Sequence, residues 1–338
     1  MKHIIGVIVF IAVITVALGT WLDSINLLPP LASAEGIPID WLFNLHIQVI
    51  AFLFALIMGF MLYSVVVFRR KKDDTGDGAF IHGNAALEIV WTIVPLFVVF
   101  YFAYLGVVTL NDITSPSRNE LVVEVTGSQW NWRFDYPEYG LSSTELNLPV
   151  GRTILLKLTS IDVIHDFWVP EFRVKQDAVP GMVKELRVSP TETGTYKLRC
   201  AELCGLDHAY MLADVNVMSP AEYDEWIDQE LEEIAKAEAG PALERGQRVA
   251  ELMGCQDCHT LDGSPGKAPT WLGLYGKEEA LTDGSTVLVD DEYIRRSIVD
   301  PGAQIVDGFG GTMPARFGDE LSEEQIADLI EYIESFSE

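Results

Sequence analysis

One short stretch of the chain, CAELCGLDHAYM, brings together side chains that bind soft and borderline metal ions. It offers two thiols (Cys200 and Cys204), an imidazole (His208) and a thioether (Met211). Sulfur and imidazole ligands together select copper, zinc or iron over magnesium or calcium. A closed tetrahedral zinc site has no use for a thioether, whereas a copper electron-transfer site accepts one as a weak axial ligand. The stretch therefore favours copper.

A second imidazole, His165 in DVIHDFW, precedes this stretch and can complete its ligand set. The alternative is a disulfide between Cys200 and Cys204, whose spacing is awkward for such a bond but does not forbid it. A disulfide would leave both histidines and Met211 without a role. We therefore expect a metal site here.

A second motif, GCQDCHT, contains Cys255, Cys258 and His259 in the CxxCH spacing that attaches c-type haem. The two thiols can form thioethers to the porphyrin vinyl groups, and the imidazole can bind the iron. A zinc site would need further Cys or His ligands, and the sequence after Met218 contains none outside this motif. The motif therefore predicts a covalently bound haem.

The second axial ligand of that haem follows by elimination among the methionines. After Met218 the sequence contains only Met253 and Met313. Met253 stands two residues before Cys255 and cannot reach the opposite face of the haem. Met313 lies in the Gly-rich stretch FGGTMPARF, which can cross over that face. Met313 is the predicted ligand.

The elements that position these motifs begin with three apolar runs, each long enough to cross a bilayer: Ile4 to Leu22, Leu45 to Phe68, and Ile89 to Leu110. The basic cluster at 69–72 follows the second run, so the positive-inside rule assigns the loop 69–87 to the cytoplasm. The segment before Leu45 and everything after Leu110 are then expected outside. Residues 35–118 are predicted to form a transmembrane helical hairpin.

The first run has two interpretations. Lys2, the apolar run and the small residues Ala32-Ser33-Ala34 resemble a secretory signal peptide within residues 1–34. The alternative is a retained additional transmembrane helix. We favour the helix because the apolar part of a signal peptide is usually shorter.

Residues 119–218 read as a β domain. Short β-rich runs, among them LVVEVTG, RTILLKLTS and TYKLRC, are broken by Gly, Pro and Ser. This pattern predicts an antiparallel sandwich or barrel. In QWNWRFDY, the aromatic residues Trp130, Trp132, Phe134 and Tyr136 are expected on one face of a strand.

An acidic helical linker, 219–241, and a helical domain, 242–338, complete the chain. Gly240-Pro241 ends the linker, and a helix from Ala242 then runs into the CxxCH motif. Ser322 and Gln325 form a capping-box pattern that opens an amphipathic helix reaching Phe336.

Acidic residues are concentrated in this last part of the chain. The net charge of the whole chain is −27, and residues 219–338 contribute −20 of it, from 28 acidic and 8 basic residues. Such a charge argues against binding nucleic acid. It predicts that a soluble partner docking on this domain is locally basic.

The pattern H…CxExCxxxHxxM resembles the binuclear CuA site of cytochrome c oxidase subunit II, which has a cupredoxin-type Greek-key domain. The resemblance implies that both thiols bridge two coppers and that each imidazole caps one. It also implies a magnesium ion held by the Glu202 side chain at the boundary with subunit I. The implied copper ligands are His165, Cys200, the Glu202 carbonyl, Cys204, His208 and Met211.

Two further residues take roles from the same resemblance. LEIVWTIVP is similar to the start of the second helix of subunit II, where an acid, here Glu88, lies at the mouth of a proton pathway. The alternative is an acid that stabilises the positive end of the helix dipole. Trp130 matches the tryptophan through which electrons reach CuA, and its alternative is core packing.

The helix, the CxxCH motif, the Met313 loop and the closing helix together resemble a class I cytochrome c. The predicted fold is therefore a multidomain membrane protein, with transmembrane helices, an all-β cupredoxin-like domain and an all-α cytochrome c domain. A fusion of this kind resembles the caa-type haem-copper oxidases. That resemblance implies that electrons pass from an external donor through haem c and CuA to the oxygen-reducing subunit I.

The implied partners are subunit I, a subunit III, and a donor that is a cytochrome c or a small copper protein. The implied location is the plasma membrane of a prokaryote, with the copper and haem domains on the extracytoplasmic side. Two alternatives stay open at this stage: a CuA-bearing subunit of a nitric-oxide reductase and a membrane-anchored copper-delivery protein. The CxxCH motif argues against copper delivery, because that task needs no haem.

Overall fold

The computed structural model describes residues 2–70, 72, 76, 80, 82–310, 313 and 317–337. Lys71 of the basic cluster, and the neighbours of Met313 at 311–312 and 314–316, lie outside the described residues. The chain separates into two units. One contains Met1–Arg118 with Pro170–Val174, and the other contains Asn119–Val169 with Lys175–Glu338.

The first unit is helical: α1 (Lys2–Ser24), α2 (Gly36–Val67) and α3 (Ala85–Thr114). All three helices are long and apolar enough to span a membrane, which confirms the three predicted runs. The α2 helix begins well before the apolar run at Leu45, because hydropathy marks the part that crosses the bilayer and not the helix start. Val7 and Ile11 of α1 form a small buried cluster with Ala55 of α2.

The second unit begins with a β domain of two five-stranded sheets. The first has the strand order β3-β2-β1-β5-β8 and the second has the order β4-β10-β9-β6-β7. The strands are β1 (Leu121–Ser128), β2 (Asn131–Tyr136), β3 (Leu141–Ser143), β4 (Leu146–Pro149), β5 (Ile154–Ser160), β6 (His165–Trp168), β7 (Lys175–Ala178), β8 (Lys184–Val188), β9 (Gly194–Cys200) and β10 (Leu212–Met218).

The two-sheet architecture agrees with the predicted sandwich, but the pairing is not wholly antiparallel. The pairs β1 with β5 and β4 with β10 are parallel. Connections that cross between the sheets bring these strands side by side in the same direction, and no periodicity within one strand reports that. Trp132, Phe134 and Tyr136 of β2 are buried in the core, as expected. Trp130 lies outside the strand, in the turn between β1 and β2, and is half-buried.

The segment predicted as an acidic helical linker is the ordered helix α4 (Pro220–Ala239). Ser219 and Glu222 form a capping box at its start. Tyr223 and Ile227 are buried, and the ring of Trp226 lies 5.2 Å from that of Tyr136 in the β domain. This helix is therefore packed on the β domain and does not act as a flexible tether.

The C-terminal part contains α5 (Ala242–Leu252), β11 (Glu278–Ala280), β12 (Thr286–Leu288), α6 (Asp291–Val299), α7 (Phe317–Glu320) and α8 (Glu323–Glu334). The capping box of Ser322 and Gln325 is confirmed. The β11–β12 hairpin departs from the purely helical prediction, since its short strands fall below the length at which alternation is readable. Arg245 of α5 bonds Asp328 of α8 at 2.6 Å, which fixes the crossing of the two helices.

Candidate metal and haem centres

The candidate copper ligands come from two neighbouring strands and the loop that follows one of them. His165 opens β6, and Cys200 ends β9 beside it, where Phe167 pairs with Cys200. The loop from Cys200 then carries Cys204 and His208 and returns as β10 just after Met211. The ligand loop thus joins β9 to β10. Because these two strands pair with each other, both ends of the loop are held in place.

The structure brings these donor atoms together. The two Sγ atoms lie 3.7 Å apart. Cys200 Sγ lies 3.9 Å from His165 Nδ1 and 3.2 Å from the carbonyl oxygen of Glu202. Cys204 Sγ lies 3.5 Å from His208 Nδ1 and 3.8 Å from Met211 Sδ. Each thiol therefore has one imidazole and one weak donor close to it.

A carboxylate outside the ligand set orients His165. Asp162 Oδ1 lies 2.8 Å from His165 Nε2, which leaves Nδ1 directed at the sulfur pair. Burial lowers the pKa of His165, but the hydrogen bonds with Asp162 and Cys200 outweigh that effect and raise it. A carboxylate behind a ligating imidazole fixes its tautomer and its ring orientation.

The two thiols hold their protons very differently. Burial raises the pKa of Cys200, but hydrogen bonds from His165 and from backbone groups outweigh burial and lower it to about 6. Burial and the charge of Cys200 raise the pKa of Cys204 to about 12. One thiolate therefore forms readily, and the second needs a cation to offset the repulsion between two close negative charges. A bound metal supplies that charge.

This largely buried set of two thiols, two imidazoles, a thioether and a carbonyl fits a copper centre better than a zinc site. His165, Cys200 and Cys204 form the one group of three potential metal ligands found among the described residues. All three are buried. The side chain of Glu202 is exposed, so only its backbone faces the thiols.

The CxxCH motif lies at an apolar cavity. Cys255, Cys258 and His259 line it, and Met313, the predicted second axial ligand, also contributes to the lining. Much of the remaining wall comes from α6 and α8, including Ile294, Ile298, Leu329 and Ile333. Such a wall suits the flat apolar body of a haem.

His259 is held in place for iron binding. Its Nδ1 lies 2.7 Å from the carbonyl oxygen of Pro269, and its ring stacks on Trp271 with centroids 5.4 Å apart. Burial lowers the pKa of His259, which keeps the imidazole neutral. A neutral ring anchored through Nδ1 presents Nε2 to a metal. The chemistry of these residues fits a c-type haem.

The turn that carries Trp130 forms hydrogen bonds with two groups at the candidate copper site: Asp162, which contacts His165, and the backbone of Cys204. The Gln129 amide N–H donates to Asp162 Oδ2 at 2.6 Å, and its side-chain amide donates to the carbonyl oxygen of Cys204 at 2.6 Å. Gln129 and Trp130 also line the haem cavity. Asp162 and Gln129 were missed in the sequence, although Asp162 stands only three residues before His165.

Glu88 lies in the first turn of α3 and is exposed. Its carboxylate accepts from the backbone N–H of Asn84 at 3.2 Å, and the Asn84 side chain accepts from Leu87 N–H. The helix-start interpretation of Glu88 therefore has a structural basis.

Comparison with known proteins bears on identity. The sequence model for the transmembrane domain of cytochrome c oxidase subunit II matches residues 20–107, and that for its periplasmic domain matches 141–218. A cytochrome c model matches 243–337. Cytochrome c oxidase subunit 2 of Alkalihalophilus pseudofirmus is 30% identical over 314 residues, covering 89% of this chain and 89% of that protein. The chain belongs to the cytochrome c oxidase subunit II family.

Two further relatives agree in name. Cytochrome c oxidase subunit 2 of Synechocystis sp. is 33% identical over 249 residues, which cover 60% of this chain and 75% of that protein. The solved periplasmic domain of subunit II from Bradyrhizobium japonicum is 32% identical and has a TM-score of 0.33, covering 35% of this chain and 96% of that one.

Membership of the subunit II family settles the general character of the protein. It is a membrane subunit of a haem-copper oxidase, with its periplasmic domain on the extracytoplasmic side and a C-terminal cytochrome c domain. The subunit II domain implies CuA copper, and the cytochrome c domain implies haem c. The three-part fold predicted from the sequence is confirmed.

Proposed function

We propose that this subunit takes electrons from an external donor on its haem c and passes them to CuA and then to subunit I. The observation that carries the proposal is the position of Gln129 and Trp130. They line the cavity at the CxxCH motif, and Gln129 also bonds the carbonyl of Cys204. A continuous path of protein therefore joins the haem cavity to the copper ligands.

The chain's own residues hold and orient the two centres. Cys255 and Cys258 would anchor the haem, and His259 and Met313 would bind its iron. The copper ligands would be His165, Cys200, the Glu202 carbonyl, Cys204, His208 and Met211. When bound, both groups would supply one-electron chemistry, and the buried thiols of Cys200 and Cys204, with buried His165 and Met211, would keep water away from the copper centre.

The proposal extends to the membrane partners. None of the residues of α3 is buried within this chain, so apart from contacts with α2 such as that between Phe102 and His46, its surface is available to lipid and to subunit I or subunit III. We place Glu88 at the cytoplasmic mouth of a proton pathway into subunit I. On the extracytoplasmic side, the exposed side chain of Glu202 would hold a magnesium ion at the boundary with subunit I.

The donor is inferred from charge. Residues 219–338, which comprise α4 and the haem domain, carry a net charge of −20, so a cytochrome c or small copper protein with a basic face would be attracted to this part of the chain. The host membrane would be the plasma membrane of a prokaryote.

Ending the chain after Gly240 tests this proposal. This end point keeps α4, whose buried Tyr223 and Ile227 would otherwise leave the β domain uncovered. The shortened subunit should keep CuA reducible by small mediators, because all its ligands remain. Turnover with the protein donor should fall at least about tenfold. The covalently linked haem domain is itself the electron donor to CuA, and its linkage gives it a high effective concentration there.

The matched control is the full-length double variant Cys255→Ser/Cys258→Ser, which keeps the polypeptide and removes the attachment of haem. It should lose donor-dependent turnover in the same way. Unchanged turnover with the shortened subunit would show that the donor reaches CuA directly.

A further inference from the structure

We propose that residues 129–131 form a permanent docking site, here called the seat, for the chain's own haem domain (residues 242–338). The docked domain closes Trp130 to external donors. This inference rests on the proposed function and deepens it. It identifies the partner of the Trp130 surface and the residues that position that partner. Its evidence comes from contacts between the β domain and the haem domain, which belong to one structural unit.

One contact between the two domains lies beside the haem attachment motif. The Asn131 side-chain amide donates to the carbonyl oxygen of Met253 at 3.4 Å. Gly254, which directly precedes Cys255, has a positive φ of 68°, and a Cβ there would collide with the Asn131 amide. Glycine thus permits both the left-handed turn and the close approach of the two domains.

Two ion pairs flank this contact. Lys267, on the rim of the haem cavity, lies 3.0 Å from Asp207, which directly precedes the copper ligand His208. Arg133 of β2 lies 3.4 Å from Glu320 of α7. The haem domain supplies the cation in one pair and the anion in the other. A rotated haem domain would bring like charges together, so the two pairs select one orientation.

The connecting helix also fixes the arrangement. Tyr223 and Ile227 bury one face of α4 against the β domain. At the other end, Arg248 of α5 bonds Glu230 of α4 at 3.0 Å. The haem domain is therefore held next to the turn by a packed strut and not by a mobile linker.

Trp130 lies in the turn that forms this seat. It is half-buried, and its indole nitrogen is buried without a hydrogen-bond partner among the described residues. Gly205 in the copper ligand loop packs against the same ring. In the seated state the residues that would hold the haem and those that would hold the copper lie on either side of this turn, so the transfer of an electron between the two groups would require no bond or proton to change. An external donor must then bind the haem domain on a surface away from Trp130.

Zero-length cross-linking tests the seat on the full-length subunit in its assembled oxidase. A carbodiimide should join Lys267 to Asp207 at low salt, and mass spectrometry of the digest should identify the joined peptides. Lys197 and Asp214, 2.5 Å apart within the β domain, provide an internal control for the reagent. The yield of the Lys267–Asp207 product should fall as salt rises, because both pairs at the seat are partly exposed.

Charge reversal at the other pair gives the second measurement. Arg133→Glu should lower the Lys267–Asp207 yield at least about threefold, since an attraction becomes a repulsion. Arg133→Glu/Glu320→Arg should restore it. The matched control is Arg152→Glu, which reverses an arginine paired with Glu138 at the same 3.4 Å but away from the seat. This control should leave the yield unchanged.

The outcomes separate the seat from the proposed function. Absence of the Lys267–Asp207 product, with the Lys197–Asp214 product present, would overturn the seat even where haem c is still reduced before CuA. Equal yields in Arg133→Glu and Arg152→Glu would also overturn it. A normal product together with CuA reduced before haem c would uphold the docked position of the haem domain but contradict both the closure of Trp130 and the proposed function.

Discussion

At the scale of single residues, the chemistry of the copper site depends on groups just outside the ligand set. Asp162 bonds both the His165 ring and the Gln129 backbone, so one carboxylate orients a ligand and holds the turn under the haem domain. The candidate ligands stand out in the sequence because five of the six fall within one short stretch. Asp162 and Gln129 do not stand out, because their hydrogen bonds exist only once separate strands have paired.

Met313 gives a prediction at this scale. Met313→Ala should leave the haem attached through Cys255 and Cys258, because the thioethers do not depend on it. The reduction potential should fall by a fraction of the roughly 0.8 V range that axial ligands control, since methionine sulfur favours the reduced iron. Redox titration of the haem and its sulfur-to-iron absorption band measure the effect.

Met253→Ala is the matched control, because this second methionine also lines the cavity but stands next to the attachment motif. It should keep both the band and the potential. A band that survives Met313→Ala and disappears in Met253→Ala would reverse the assignment.

At the scale of elements, the sequence predicted helix caps and membrane-spanning runs. It did not predict which elements pack against each other. The capping box at Ser322 and the three membrane-spanning runs follow from local patterns. The packing of α4 on the β domain depends on an aromatic contact between Trp226 and Tyr136, which are far apart in the sequence. An acidic composition alone made this helix look like a solvated linker.

The packing of α4 is open to measurement. Ile227 is 6% exposed, and Ile227→Ala should weaken the attachment of α4 by about 2 kcal/mol, the lower end of the cost of such truncations. Hydrogen exchange of the α4 amides should accelerate about 30-fold where exchange proceeds through detachment of the helix.

Leu231→Ala, on the same helix at a position 38% exposed, is the control and should change the exchange free energy by less than about 0.5 kcal/mol. Equal effects of the two substitutions would mean that α4 is not held through Ile227. The claim that α4 holds the haem domain against the β domain would then be wrong.

At the scale of the whole molecule, the β domain and the haem domain are in contact, whereas the sequence shows only a separate motif for each. The pairs Lys267–Asp207 and Arg133–Glu320 connect residues from different domains, and nothing in either local sequence marks them as partners. The CxxCH motif and the copper ligands predicted what each domain binds. Their relative placement required the fold.

The order in which the two centres are reduced tests the central claim most directly. The assembled oxidase would be mixed rapidly with a reduced basic cytochrome c, and the haem c and CuA absorption bands would be followed together. We predict that haem c is reduced first and CuA after it. The first phase should slow as salt rises, because screening weakens the attraction between the donor and the acidic domain. Reduction of CuA before haem c, at a rate independent of the haem domain, would contradict this account.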